Sequence, residues 1–190
     1  LRPSASFGQA KWVRAIFRIS HHNLFFSYPC ANLITVLFKE RSPMDFRDRP
    51  LAITDVETTG LDFRKHEIIE IGLVLADQWT FEVIDRWSAK VWPMRIQDAE
   101  PKALEVNGYN EREWQDAIPL GDAVAAYHRK TEAAIFLSQV VNFDWGFVEE
   151  AFRATNIQST MDYHRLDLFT IAWALKRKVL TKFNLKELCK

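Results

Sequence analysis

Apolar and polar positions along this chain follow two different periods, and the switch between them predicts the order of elements. Ala52 to Thr58 is a short apolar run carrying acidic residues at every second position, and it breaks into the polar turn Thr58-Thr59-Gly60. Glu67 to Ala76 is rich in β-branched residues and apolar on both sides, and Phe81 to Trp92 alternates, so three strands follow one another and imply an antiparallel meander. Pro101 to Val106 reads as a short helix closed by Asn107-Gly108, a left-handed cap signal. Glu111 to Lys130 carries a longer helical pattern that Pro119 and Gly121 interrupt, so that the helix restarts at Asp122. Ala133 to Val141 predicts a fourth strand. Trp145 to Thr155 then returns to the helical period, with Phe147, Val148, Ala151 and Phe152 on one face. Asp167 is placed to cap a last helix over Leu168 to Lys178. Strands first, then helices alternating with strands, predict an α/β fold with helices packed on a mixed sheet.

Composition narrows the class without finding the chemistry. The 190 residues are 48% hydrophobic and 26% charged, enough for one sizeable core. Cys30 and Cys189 are far apart and have no histidine at ligand spacing, which argues against a disulfide scaffold or structural zinc and fits a reducing cytoplasm. Of the 25 basic and 25 acidic residues, six basic and one acidic fall in 1–43, which leaves 19 and 24 in 44–190, a net charge of −5. A protein that coats long duplex DNA carries a basic face, because Lys and Arg neutralise phosphates. The acidic balance of 44–190 argues against that class.

Residues 1–43 read as an extension apart from the folded domain. The first methionine is Met44, directly ahead of the lead-in to the first strand, so upstream sequence read in frame is the favoured account of this stretch. A targeting segment is the competing account, since Ser20 to Phe38 carries no Asp, Glu, Lys or Arg. A membrane span is disfavoured, because His21, His22, Asn23, Pro29 and Asn32 interrupt that run.

The candidate chemistry lies at two strand ends. Asp55 and Glu57 are spaced i and i+2, which in a strand puts both on one face about 6.6 Å apart. Like charges side by side on a partly buried strand are costly unless a cation compensates them. About ninety residues later the apolar run into Val141-Asn142-Phe143-Asp144 ends on a third carboxylate, Asp144, also placed to cap the helix from Trp145. Hard oxygen ligands of this kind suit Mg²⁺, or Mn²⁺, rather than a soft metal. His66-Glu67-Ile68-Ile69-Glu70 lacks the second histidine of a zinc helix and lies in strand-like sequence.

The string Asp55-Val56-Glu57-Thr58-Thr59-Gly60-Leu61, with Asp144 downstream, resembles the DnaQ-like branch of the DEDD superfamily of 3′-5′ exonucleases. The resemblance covers residues 48–190, so the domain is expected over 44–190. It implies a ribonuclease-H-like fold and metal-dependent hydrolysis of phosphodiesters at nucleic-acid 3′ ends. Asp55 would bridge two divalent cations about 3.5–4 Å apart, with Glu57 and Asp144 on one each. Thr58, Thr59, Gly60 and Leu61 would contact the terminal nucleotide through backbone groups and an apolar wedge, and Phe147 is a stacking candidate that the helical pattern also places in the core. The implied substrate is a single-stranded or frayed 3′ end of DNA, with RNA as the alternative, and a DNA polymerase subunit is the candidate protein partner.

Two departures from the family pattern stand out. Its last motif, H-x-x-x-x-D, is absent, because Phe26, Ser27, Ile71, Ala133 and Phe169 stand five residues after the five histidines. The general base and fourth carboxylate are therefore missing from this sequence, the fold is expected to be incomplete at its C-terminus, and these residues alone should bind metal weakly and cleave poorly. Tyr163-His164-Arg165-Leu166-Asp167 matches the Y-x-x-x-D of the tyrosine branch, yet Asp167 lies only 23 residues after Asp144, too early for that role. Many relatives also have Asn four residues before the second-motif Asp, where Val140 stands here. The rival from another class is a nucleic-acid- or polymerase-binding module that kept the fold without the chemistry.

Overall fold

A computed structural model describes residues 45–179 and 181–183, so the expectations for residues 1–43 and for the last seven residues lie outside the described residues. A five-stranded mixed sheet carries everything else. Its strands are β1 (Leu51–Thr58), β2 (Ile68–Ala76), β3 (Val83–Lys90), β4 (Ile135–Ser138) and β5 (Arg165–Asp167), in the order β3-β2-β1-β4-β5. The meander β1-β2-β3 is antiparallel, while β4 runs parallel to β1 and β5 parallel to β4. Four helices accompany the sheet: α1 (Pro101–Asn107), α2 (Leu120–Lys130), α3 (Val141–Ala154) and α4 (Leu168–Lys176). No described helix is long and apolar enough to cross a membrane.

The period of two along β1 decides which face is core. Ala52, Thr54, Val56 and Thr58 are buried, while Asp55 is exposed and Glu57 half-buried on the other face. Ala52 and Val56 join Ile71 and Leu73 of β2 and Phe136 of β4 to pack against Ala123, Val124 and Tyr127 of α2 and Phe147, Val148, Ala151 and Phe152 of α3. Of the two buried threonines of β1, Thr54 is satisfied within this layer, since its Oγ1 and the Tyr127 hydroxyl lie 2.7 Å apart.

Several predicted boundaries move, each for a local reason. Phe81 sits at φ 58°, in the turn before β3, so that strand starts at Val83 rather than Phe81. Residues 111–116 are turns rather than helix, and α2 begins at Leu120, just after Pro119 and ahead of the expected restart at Asp122. Ala133 is also left-handed, at φ 59°, and β4 is confined to Ile135–Ser138 instead of running from 133 to 141. Helix α3 therefore starts four residues early, at Val141, and Asp144 lies inside its first turn and is not the cap. Strand β5 has only three residues and carries no periodic signal of its own. Asp167 does cap α4, accepting a 2.6 Å bond from the Thr170 N–H, and Gly108 does close α1 in the left-handed region at φ 66°.

Candidate active site

Strand β1 outruns its parallel neighbour, and the site forms where it does. The β1-β4 ladder ends at Ile53 opposite Leu137, and β4 itself stops at Ser138. The last residues of β1 thus face the first turn of α3 across an opening at the carboxyl ends of two parallel strands, where open α/β sheets characteristically take ligands. Asp144 fills part of the opening, its Oδ1 accepting a 3.2 Å bond from the Val56 N–H. This bond joins the second acidic motif to the first across 88 residues.

The three acids share one electrostatic problem. Asp144 is only 4% exposed, and burial pushes its carboxyl up to about 6, helped by the nearby charge of Asp55. The Val56 N–H and the Ser138 hydroxyl work the other way, although Ser138 Oγ, fully enclosed, lies outside hydrogen-bond geometry and has no partner. Burial also raises Asp55. Glu57 is raised first by burial and then by the charges of Asp55, Glu70 and Asp144. No Lys, Arg or His among the described residues pairs with any of the three. Acids held in this way are a donor set for a hard cation.

Those donors fit a divalent metal in their chemistry. Among the described residues, however, no three His, Cys, Asp or Glu side chains stand close enough together to enclose an ion. Asp55 borders an open trough across the sheet, lined also by Ile53, Gly72, Val74, Arg86 and Ser88. A separate cavity of about 140 Å³ lies on the core side, between Phe63, Ile68, Leu120 and Phe147, and none of the three acids reaches it.

The turn that follows β1 is held from several sides. Thr58 Oγ1 donates to the Gly60 carbonyl at 2.7 Å, Thr59 Oγ1 accepts from the Glu67 N–H at 2.9 Å, and the Thr59 N–H donates to the Glu67 carbonyl. Thr58, Thr59 and Gly60 are all buried, so what this segment turns outward is the Leu61 side chain, 73% exposed. Phe147 is 2% exposed and packs between Phe63 and Phe143, ring centres 6.2 and 5.1 Å away, which makes it a core residue supporting the site from behind.

Gly60 is required by a close approach. A Cβ there would lie 2.6 Å from three atoms of the His66 ring, and that ring is itself fixed, with Nδ1 accepting from the Asp62 N–H at 3.1 Å and Nε2 lying 3.6 Å from Glu100. Gly60→Ala is expected to cost about 1–3 kcal/mol, the usual range for overpacking, seen as a lower midpoint in urea unfolding. A midpoint unchanged from wild type would show that the imidazole swings away freely.

Sequence reasoning missed the supporting residues here. Ser138, Glu70 and Asn107 all bear on the site, the last by donating from Nδ2 to the Thr58 carbonyl at 2.7 Å. Asn107 was legible only as half of a helix-end signal, because its partner is 49 residues away and no local period encodes that contact.

Comparison with known proteins bears on the family and the fold. The sequence profile of the RNase T family, described as exonuclease, matches residues 52–190. Among curated proteins, the chain is 25% identical over 140 residues to the PolC-type DNA polymerase III of Thermotoga maritima, covering 74% of this chain and 10% of that protein. It is 30% identical over 127 residues to the 3′-5′ exonuclease DinG of Staphylococcus epidermidis, covering 64% of this chain and 13% of that one. Among solved structures, a product-bound exonuclease I superimposes with a TM-score of 0.64 at 18% identity, over 74% of this chain and 37% of that one. An E. coli exonuclease I in complex with a dA16 oligonucleotide gives 0.57 at 17%, over 70% and 32%. The chain thus spans about a tenth of the curated relatives and about a third of the solved structures, and the latter likeness is one of fold.

Proposed function

The chain belongs to the RNase T family of DnaQ-like exonucleases, and on that premise we propose that it hydrolyses phosphodiester bonds at 3′ ends of nucleic acid, DNA in preference to RNA, with Mg²⁺ or Mn²⁺ as cofactor. The observation that carries this reading is that Asp55, Glu57 and Asp144, each raised from its ordinary value and none paired with a cation, lie near one another where β1 runs on past β4. These three acids hold the metal. When bound, divalent cations lower the pKa of a water and neutralise charge on the phosphate and leaving oxygen.

The remaining roles belong to the chain itself. Asp144 anchors the α3 side of the site to β1 through Val56, so that its carboxylate and those of Asp55 and Glu57 face a common space. The buttressed Thr58-Gly60 turn, itself buried, holds Leu61 out toward the terminal nucleotide, on whose base Leu61 packs. A general base contributes about 10²–10⁴-fold in such reactions. No H-x-x-x-x-D occurs in these 190 residues, so hydrolysis by them alone is slow. Support for DNA comes from the complex of exonuclease I with dA16, and support for a polymerase partner comes from the likeness to PolC-type polymerases. A cytoplasmic setting accords with two widely separated cysteines.

Matched single-stranded DNA and RNA oligomers, labelled at the 5′ end so that stepwise 3′ shortening is visible, test the proposal with Mg²⁺ or Mn²⁺ present. A ladder of products on DNA that EDTA suppresses supports it. Faster shortening of RNA would move the substrate class to RNA trimming. Binding of DNA with no shortening and no retention of metal would favour the non-catalytic module.

A further inference from the structure

The end of β1 that carries Glu57 is irregular, and the irregularity is held from outside the sheet. Register between β1 and β2 shifts after Glu57: Glu57 stands opposite Glu70, whereas Thr58 stands opposite Ile68, leaving Ile69 as the extra residue of a bulge. Bulges bend a strand locally and re-aim its side chains, and they free carbonyls that need new donors. The Thr58 carbonyl finds its donor in the segment that starts with α1, and the Ile69 carbonyl, which already accepts from the Val91 N–H at 2.7 Å, gains a second donor from the same segment. Asn107 Nδ2 donates to the Thr58 carbonyl at 2.7 Å, and Trp114 Nε1 donates to the Ile69 carbonyl at 2.9 Å. The N-terminal end of the same helix adds a third tie, from the Glu100 N–H to the Thr59 carbonyl at 2.8 Å.

Of these three, Asn107 sits nearest the acids in the chain path, one peptide unit from Glu57. Its own position is rigid, because it is the last residue of α1, and Gly108 and Tyr109 both return their N–H groups to Leu104. A side chain fixed in this way gives Thr58 a donor at one place and orientation, and the Glu57 carboxylate follows from the backbone on either side of it.

We infer that Asn107 is a positioning residue for the metal ligands: by clamping the Thr58 carbonyl at the bulge, it keeps Glu57 aimed into the space shared with Asp55 and Asp144. The inference rests on the carboxylate site proposed above. It is independent of Asn107 touching substrate or metal, neither of which its hydrogen bond requires.

The test is Mn²⁺ binding to the full chain by electron paramagnetic resonance, comparing wild type with Asn107→Ala, Asn107→His and Asp55→Ala. Residues that orient metal ligands commonly contribute 10–100-fold to metal affinity, so Asn107→Ala is expected to weaken Mn²⁺ binding at least about tenfold. Asn107→His, whose Nδ1–H can occupy the place of the amide N–H, is expected to recover most of the loss, which a general packing defect would not do. Where cleavage is measurable, kcat falls with Asn107→Ala while KM for the oligomer changes less than about twofold, as for an interaction made away from the substrate. Should Asn107→Ala not fold, Asn107→Ser, which is too short to reach Thr58, replaces it with the same expectation. Wild-type affinity in the folded Ala or Ser variant overturns the inference, provided Asp55→Ala has lost Mn²⁺. Equal binding by Asp55→Ala and wild type instead overturns the carboxylate site itself, and the role of Asn107 with it.

Discussion

Asp55→Ala is expected to reduce metal-dependent 3′ shortening at least about a thousandfold and to abolish Mn²⁺ binding at the site. Metal-ion stabilisation of a phosphoryl transition state is worth several kcal/mol, and each 1.36 kcal/mol is tenfold in rate, so losing a ligand shared by the whole constellation forfeits about three decades. Asp55 is the member whose charge reaches both of the others, since it raises Glu57 and Asp144 alike. Its removal should therefore ease the repulsion around the site, and the variant should fold at least as stably as wild type without metal. Paired measurements of shortening rate and urea midpoint check this. Retained shortening would place the chemistry elsewhere, whereas a collapsed midpoint would show that Asp55 has a structural role.

Asp144→Asn should make the metal-free protein more stable and the enzyme inactive. Burial raises the Asp144 carboxyl from 3.8 to about 6. The folded state therefore holds its proton over a range in which the unfolded chain has released it, and stability falls as pH rises from about 4 through about 6, then levels. With about 1.4 kcal/mol per unit, the loss above pH 7 approaches 3 kcal/mol as an upper bound, since water and small relaxations soften it. An asparagine carries no such charge. It keeps a carbonyl oxygen for the Val56 N–H and offers an N–H toward the unpartnered Ser138 Oγ. In EDTA the variant should melt higher than wild type by on the order of 5 °C at pH 7.5, with the gap closing near pH 4. Added Mg²⁺ should raise the wild type alone, because a ligand that binds only the folded state stabilises it by mass action. A variant that melts lower at every pH would mean that the carboxylate is held by partners stronger than Val56.

How far the chain could be read without coordinates depends on the range of the forces at each position. The two-residue period along β1 placed Asp55 and Glu57 on one face and the buried positions 52, 54 and 56 on the other, because pleat geometry is local and burial sorts the faces. Asp167 and Gly108 were legible as helix ends for the same reason, since a cap satisfies groups within its own turn. Asp144 was found but misplaced. Its acidic character was visible, while the early start of α3 depends on where β4 stops, and that depends on packing across the sheet. The Thr59 side chain turned inward because the Glu67 N–H, reached only when β2 folds against β1, donates to it, whereas Thr58 Oγ1 is taken by the Gly60 carbonyl within its own turn.

The sequence by itself determined the order of β1 to β4 and of the four helices, the apolar face of α3, the shared face of Asp55 and Glu57, and the identity of the three acids, because these follow from period, side-chain polarity and turn chemistry over a few residues; β5 lay outside its reach. Only the tertiary structure decided that β1 outruns β4, that Asp144 spans the gap to Val56 without a counter-charge, and that Asn107 braces the bulge beside Glu57. Those contacts join residues 49 to 88 apart, and what selects them is the need of buried carbonyls, N–H groups and charges for partners, which exists only once the chain has closed around them.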